Sequence, residues 1–407
     1  MTGAIEPLLR VEGLYARVDR APDLEVLRGV DLDVGRGEIV GLVGESGSGK
    51  TMTALSILRL LPPGIRVTAG SVTFDGRDLL TLGRAELQAL RGGRIAMIFQ
   101  DALRHLNPAF TVGDQIEAVI RAHNSRLGPK EVRARAVELL TQVQIVDPEA
   151  RLRSYPHQFS GGMAQRVMIA MALSGSPELL LADEPTSALD VTVQAEILLL
   201  LRRIARQRGM SVLFISHNLG AVWQLCDRVI VMYAGQVVET AATAELVEAP
   251  AHPYSTALLK ALPRLTIDQP ELASIPGSMP GLHAIPSGCA FHPRCELAVD
   301  ACSLETPPMV QVATDHHARC ILATPMSLPG TAEVRQALAS ITPLPNPPPQ
   351  GGRGPATPNP SPQGGREPAA PNPPPQGGRG PAAPNSPPQG ARGAASPDPA
   401  AVGRGAS

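Results

Sequence analysis

The run Gly44-Glu45-Ser46-Gly47-Ser48-Gly49-Lys50-Thr51 has the composition of a loop that wraps phosphate. It matches G-x-x-x-x-G-K-[ST], in which glycines let backbone N–H groups turn inward around an anion. A helix beginning directly after the loop adds positive potential. Lys50 is expected to pair with the β- and γ-phosphates of a nucleotide, and the Thr51 hydroxyl to bind Mg2+. Farther along, Leu179-Leu180-Leu181-Ala182 runs into Asp183-Glu184. A carboxylate at the tip of a neighbouring core strand suits Asp183 as the Mg2+ partner, and Glu184 would then orient or deprotonate an attacking water. Without the loop upstream, the acidic pair could simply end a strand. A third group, Ser160-Gly161-Gly162, opens a helix running through Leu173 and offers a second anion-binding helix start. One active site does not need two such cradles, so the second is expected to serve the nucleotide of another subunit.

The elements that must hold these residues are legible from hydrophobic patterning. Glu38 to Val43 reads as a buried strand leading into the loop, and Thr51 to Leu61 as the helix after it. Leu179 to Asp183 and Ser211 to Ser216 read as two more core strands, joined by a helix from about Val191 to Arg208. Glu131 to Gln144 reads as another helix. The expected fold class is α/β: a βαβ-based parallel sheet with a helical segment inserted between about Gln100 and Ala172.

Bulk properties narrow the function. The chain has 407 residues and a formal net charge of −1, from 36 basic and 37 acidic residues, so no general electrostatic pull toward nucleic acid exists. Apolar residues are 43% and aromatics 3%, so the core must come mostly from Leu, Val, Ile, Ala and Met. No apolar run approaches the roughly 18 to 20 residues that span a bilayer. The start, MTGAIEPLLRVEG, lacks the basic and apolar regions of a secretory signal, which makes a cytosolic location the expectation.

In order along the chain, the P-loop, Gln100, Ser160-Gly161-Gly162, Asp183-Glu184, Ser187-Ala188-Leu189-Asp190 and His217 reproduce the motif set of the ATP-binding cassette (ABC) family, which this sequence resembles. A finer resemblance is to the oligopeptide/dipeptide importer ATPases. It rests on Gly44 to Thr51, Ile98-Phe99-Gln100-Asp101, Leu106-Asn107-Pro108, Tyr155 to Ser160 and Ala188 to Gln194, and on His252-Pro253-Tyr254 and Ile275-Pro276-Gly277 beyond the core.

What the resemblance implies is a P-loop NTPase of the ABC type, an ATPase using ATP and Mg2+. Such a protein works as a head-to-tail dimer with a second ATPase subunit, identical or not, each nucleotide lying between one P-loop and the opposing Ser160-Gly161-Gly162. Gln100 would sense the γ-phosphate, approach the Mg2+ and relay to the membrane partner, His217 would bind the γ-phosphate and the attacking water, and Asp190 would contact the opposing subunit. Two transmembrane permease subunits and, indirectly, a periplasmic solute-binding protein complete the implied assembly, peripheral to the cytoplasmic side of a bacterial inner membrane and energising peptide import. The same mechanics serve nickel, glutathione or other small solutes. A soluble cassette ATPase acting on nucleic acid fits poorly with a single cassette and balanced charge. In the family, an aromatic that stacks on adenine stands where this chain has Val18, and an Arg where it has Ala164.

The implied domains are a cassette at 7–250, with its helical subdomain at about 101–172, a C-terminal element at 251–326 and a tail at 327–407. Within the C-terminal element lie Cys289, Cys295, Cys302 and Cys320, separated by five, six and seventeen residues. None of these spacings is the C-x-x-C of zinc ribbons, so the loosely spaced thiols could ligate a 4Fe–4S cluster, hold zinc together with His292, His316 or His317, or bind no metal. Some members of the resembled family carry such a cluster. Cys226 stands apart and reads as a small core residue. In the tail, near-copies of Pro345-Asn346-Pro347-Pro348-Pro349-Gln350-Gly351-Gly352-Arg353 begin at Pro358, Pro371 and Pro384. Without apolar residues to offset the entropy of ordering, this tail is expected to be disordered, as a tolerated extension or a proline-rich docking ligand.

Overall fold

Alternating apolar and polar residues start the chain as two long strands, β1 (Leu9–Val18) and β2 (Ala21–Val34), which pair antiparallel. In the computed structural model, residues 6–187, 189–261 and 275–323 are described, and the repeat tail lies outside them. The buried strand β3 (Ile39–Val43) leads into helix α1 (Lys50–Ile57), after which β4 (Ile65–Phe74) and β5 (Arg77–Asp78) return to β1. These strands form a four-stranded sheet in the order β2-β1-β4-β5. Helix α1 stops earlier than its apolar pattern suggests, because Arg59 turns into the left-handed region (φ 51°) and the pair Pro62-Pro63 follows.

The central sheet takes β6 (Ile95–Ile98), β7 (Leu179–Asp183), β8 (Ser211–Ser216), β9 (Arg228–Tyr233) and β10 (Gln236–Ala242). With β11 (Val310–Ala313) and β12 (His316–Ala318) its order is β11-β12-β10-β9-β3-β8-β7-β6. The strands from β9 to β6 run parallel. Every residue of β3, β7 and β8 is buried, which is why they read as continuous apolar runs. Successive side chains point to opposite faces, so each strand feeds two cores. Ile39 and Val43 pack with the helices on one side, while Val40 and Leu42 pack with Leu9, Ile57 and Phe74 on the other.

Between β6 and β7 the chain inserts the expected helices. After α2 (Arg84–Leu90) come α3 (Ala102–His105), α4 (Val112–His123), α5 (Pro129–Gln142), α6 (Pro148–Arg151) and α7 (Gly161–Ala172). Thr111 accepts from the Asp114 N–H at 3.1 Å while the Asp114 carboxylate takes the Thr111 N–H, a reciprocal cap that fixes where α4 starts. Helix α8 (Val191–Arg208) follows β7 and ends at Gly209, whose φ of 60° lets the chain reverse. Then come α9 (Leu219–Leu225), α10 (Thr243–Glu248) and α11 (Pro253–Lys260).

In the C-terminal element, β12 and β11 add to the free edge of β10, with Glu239 opposite Ala318 and Thr240 opposite His317. Its anchor is the fully buried Glu239 carboxylate. This group accepts from the Ala251 N–H at 2.6 Å, the His252 N–H at 3.0 Å and His316 Nε2 at 2.7 Å. Three of the chain's scarce aromatics, Tyr233, Tyr254 and Phe291, meet edge-on or tilted at the same junction, with centroids 4.7 to 5.3 Å apart.

Candidate functional site

Four neighbouring parallel strands end at one edge of the central sheet, and each delivers a residue singled out above. The loop Gly44–Thr51 leaves β3, Gln100 lies just beyond β6, Asp183 and Glu184 close β7, and His217 follows β8. Ligands of open α/β sheets bind outside the carboxyl ends of such strands.

The loop has the conformation its glycines permit. A Cβ on Gly44 (φ 153°) would lie 2.2 Å from the Met232 carbonyl oxygen, so no side chain fits there. Lys50 is buried, and its Nζ donates to the carbonyl oxygens of Gly44 at 2.8 Å and Glu45 at 2.9 Å. Burial lowers the Lys50 pKa, opposed by the charges of Glu184, Asp183 and Glu45. A third, longer bond goes to the Ser48 hydroxyl at 3.4 Å, and a buried ammonium held by these neutral oxygens is poised to exchange them for phosphate oxygens.

Thr51 donates its hydroxyl proton to Asp183 Oδ1 at 3.2 Å, bringing together the two side chains expected at Mg2+. Burial raises the Asp183 pKa. A divalent cation would relieve that cost, so a hydroxyl and a desolvated carboxylate side by side suit a hard ion. Gln100, the third residue expected near the ion, instead donates Nε2 to Glu184 Oε2 at 3.1 Å. His217 Nδ1 stands 3.0 Å from the other oxygen, Glu184 Oε1. With a carboxylate oxygen as the acceptor, Nδ1 is the donor of this pair. Glu184 itself has φ 45°, a rare conformation for a non-glycine residue, held by its N–H bond to the Ile215 carbonyl at 3.0 Å.

Ser160, Gly161 and Gly162 begin α7, with Ser160 Oγ accepting from the Met163 N–H at 3.3 Å. Among the described residues they make no hydrogen bond to the P-loop. Gly161 instead shares a cavity of about 70 Å³ with Asp101, Gln165, Glu184 and Ser187. Gly162 has a packing reason to be glycine that the sequence did not reveal: a Cβ would come within 2.4 Å of Val193 Cγ1 on α8. Asp190, expected to face an opposing subunit, caps α8 by accepting from the Val193 N–H at 3.0 Å. Ala164 is fully buried on the inner face of α7, within the helical core. Val18 is half-buried at the end of β1, and Tyr15 lays its ring over Gly29 of β2.

Two residues outside the nucleotide-binding motifs grip the loop. Arg294 binds the Glu45 carboxylate with both terminal nitrogens, at 2.7 and 3.0 Å, and the Tyr254 hydroxyl accepts from the Glu45 N–H at 2.8 Å. Arg294 lies next to Cys295, inside the Cys-rich run. Nothing local in the sequence could pair residues 45 and 294.

The four clustered cysteines lie in one neighbourhood, since the Cys289 N–H donates to the Cys302 carbonyl at 2.8 Å. Burial, with Cys289, Cys295 and Cys302 adding to it, pushes the Cys320 thiol up to about 11. Burial also raises Cys289 and Cys295. Among the described residues no group of three or more His, Cys, Asp or Glu side chains is placed to hold a metal ion. The thiols as arranged therefore do not fit a 4Fe–4S cluster or zinc, both of which need converging thiolates. Cys226 is buried and free, as expected of a core residue.

The sequence matches the family described as ABC transporter over residues 27–187. It also matches the family described as oligopeptide/dipeptide transporter, C-terminal region, over residues 238–302. The dipeptide transport ATP-binding protein DppD of Escherichia coli K12 is 45% identical over 315 residues, covering 77% of this chain and 96% of that protein. A dimeric, post-hydrolysis ATP-binding cassette bound to ADP and Pi superposes with a TM-score of 0.52 at 28% identity, over 58% of this chain and 98% of that one. The cbiO1 protein of Clostridium perfringens, part of the cbiONQ ABC transporter complex, gives 0.52 at 27%, over 59% and 90%.

Proposed function

The chain belongs to the oligopeptide/dipeptide branch of the ABC transporter ATPases, and on that premise we propose that it hydrolyses ATP at the Gly44–Thr51 edge to drive peptide import. The observation that carries this reading is the convergence of the P-loop, the Thr51–Asp183 pair and the Gln100–Glu184–His217 cluster on adjacent strand ends.

Each residue then has a role. The loop amides and Lys50 take the phosphates, with Lys50 releasing the Gly44 and Glu45 carbonyls to do so. Thr51, Asp183 and Gln100 would hold Mg2+, which supplies charge neutralisation across the β- and γ-phosphates. Glu184 holds or deprotonates the attacking water, and His217 and Gln100 fix its carboxylate from both sides. Ser160, Gly161 and Gly162 complete the site of a second ATPase subunit, a reading supported by the absence, among the described residues, of any hydrogen bond from them to this chain's own P-loop.

Two permease subunits on the cytoplasmic side of a bacterial inner membrane, served by a solute-binding protein, are the proposed partners. No helix among the described residues is long and apolar enough to cross a membrane, so the permeases supply the translocation path. A 4Fe–4S cluster remains a separate proposal, supported by the four-thiol composition alone. It requires the C-terminal element to rearrange, and colourless protein from anaerobic purification would remove it.

Reconstitution into vesicles with the two permeases should give MgATP hydrolysis stimulated by peptide-loaded binding protein. Hydrolysis indifferent to Lys50→Ala would overturn the site, and stimulation by non-peptide solutes alone would overturn the peptide assignment.

A further inference from the structure

We propose that Arg294 is a positioning residue for ATP: from the C-terminal element it anchors the P-loop through Glu45 and neutralises a carboxylate that would otherwise repel the phosphates. This rests on the nucleotide-site reading above and deepens it.

The chemistry of the loop poses the problem. Phosphate binding needs inward-facing N–H groups and a lysine, yet position 45 carries a carboxylate. Left unpaired beside a polyphosphate, that charge opposes binding. Arg294 cancels it with a two-point contact at 2.7 and 3.0 Å, and its side chain is only 7% exposed. Its other donors are also committed: Nε to the Pro276 carbonyl at 2.7 Å, and Nη1 in addition to the Tyr233 hydroxyl at 3.3 Å. Its guanidinium lies against the rings of Tyr233 and Phe291, so it cannot swing away cheaply.

Glu45 is also the residue on which the loop's geometry turns. Its N–H goes to Tyr254, and its carbonyl accepts from Lys50 at 2.9 Å and from the Ser48 N–H at 3.2 Å. When Lys50 leaves for phosphate, the Tyr254 and Arg294 contacts are what keep this end of the loop in place. A loop already ordered binds more tightly, because less ordering cost falls on the ligand. The C-terminal element thereby becomes part of the nucleotide site. Its contribution enters ATP affinity, while Glu184 and His217, which set the chemical step, are not touched by it.

The test is steady-state ATP hydrolysis and equilibrium binding of a fluorescent ATP analogue by the full-length chain and four variants. Arg294→Gln should raise KM and Kd for ATP by roughly tenfold, the scale of losing a charged hydrogen bond, with kcat little changed. Arg294→Lys should recover part of the loss. Glu45→Gln alone should be mild, and Glu45→Gln combined with Arg294→Gln should bind ATP better than Arg294→Gln alone, because the uncompensated carboxylate is gone. A merely structural arginine would give no such rescue. Thermal melts of all variants separate misfolding from weakened binding. An Arg294→Gln chain that melts normally with unchanged KM, or a double variant no better than the single, would overturn the proposal. A wild-type chain that binds no ATP would overturn the underlying site reading as well, and shows itself before any variant is made.

Discussion

The Glu184 carboxylate is held from two sides, by His217 Nδ1 at 3.0 Å on one oxygen and Gln100 Nε2 at 3.1 Å on the other. Glutamine at 184 keeps the size of the group and removes its basicity. Glu184→Gln is therefore expected to retain ATP binding while cutting hydrolysis by on the order of 10² to 10⁴. Nucleotide binding and phosphate release measured on the same preparation check it, and near-normal turnover would remove Glu184 from its role.

Burial holds His252 near a pKa of about 4, against an ordinary value of 6.5, with Glu239 and Arg319 as its charged neighbours. The geometry agrees, since its Nδ1 accepts from the Tyr254 N–H at 3.0 Å and so must be unprotonated. The unfolded chain binds a proton that the folded chain refuses, so stability is full above about pH 6.5 and falls as pH drops toward about 4. The loss from this one group is on the order of 3 kcal/mol. Asparagine can cap α11 in the same way but does not titrate. Melting curves of His252→Asn should show a shallower acid decline over this interval than the wild type, and parallel declines would count against the assignment.

The catalytic edge was legible because its parts are local. A strand, a glycine loop and a helix are contiguous from Ile39 to Ile57, and the Asp183-Glu184 pair follows its own apolar run. That Gln100 and His217 meet at Glu184 follows from β6, β7 and β8 lying side by side, which the sequence suggests only through family resemblance. Contacts between distant segments stayed hidden. Arg294 and Glu45 lie 249 residues apart, and the docking of β12 on β10 depends on a buried Glu239–His316 pair with no periodicity to announce it. Helix α1 ends before its apolar pattern does, because a left-handed Arg59 overrides a run that continues to Leu61.

Gly162 carries two demands, one from phosphate and one from Val193, and they can be separated. A Cβ placed 2.4 Å from Val193 Cγ1 must displace a stiff β-branched side chain. Gly162→Ala should lower stability by about 1 to 3 kcal/mol, as overpacking does. Adding Val193→Ala opens the space and should return most of that stability. If Gly162 also serves a nucleotide through its backbone, the double variant will melt near the wild type yet still hydrolyse ATP slowly. Full recovery of both would leave packing as the whole reason for glycine.

Ser160–Gly162 and the P-loop make no hydrogen bonds to each other within the described chain, so a complete site should require two chains. Where this chain hydrolyses ATP alone, its specific activity should rise with protein concentration. Lys50→Ala removes one phosphate cradle and Ser160→Arg blocks the other, and each variant should be inactive by itself. Mixed, they form one intact composite site, with the Ser160→Arg chain supplying the P-loop and the Lys50→Ala chain supplying the helix start. Activity should therefore return on mixing equal amounts, and should grow with total concentration as paired chains form. If one chain held the whole site, neither variant could complement the other, and the mixture would stay as inactive as its parts.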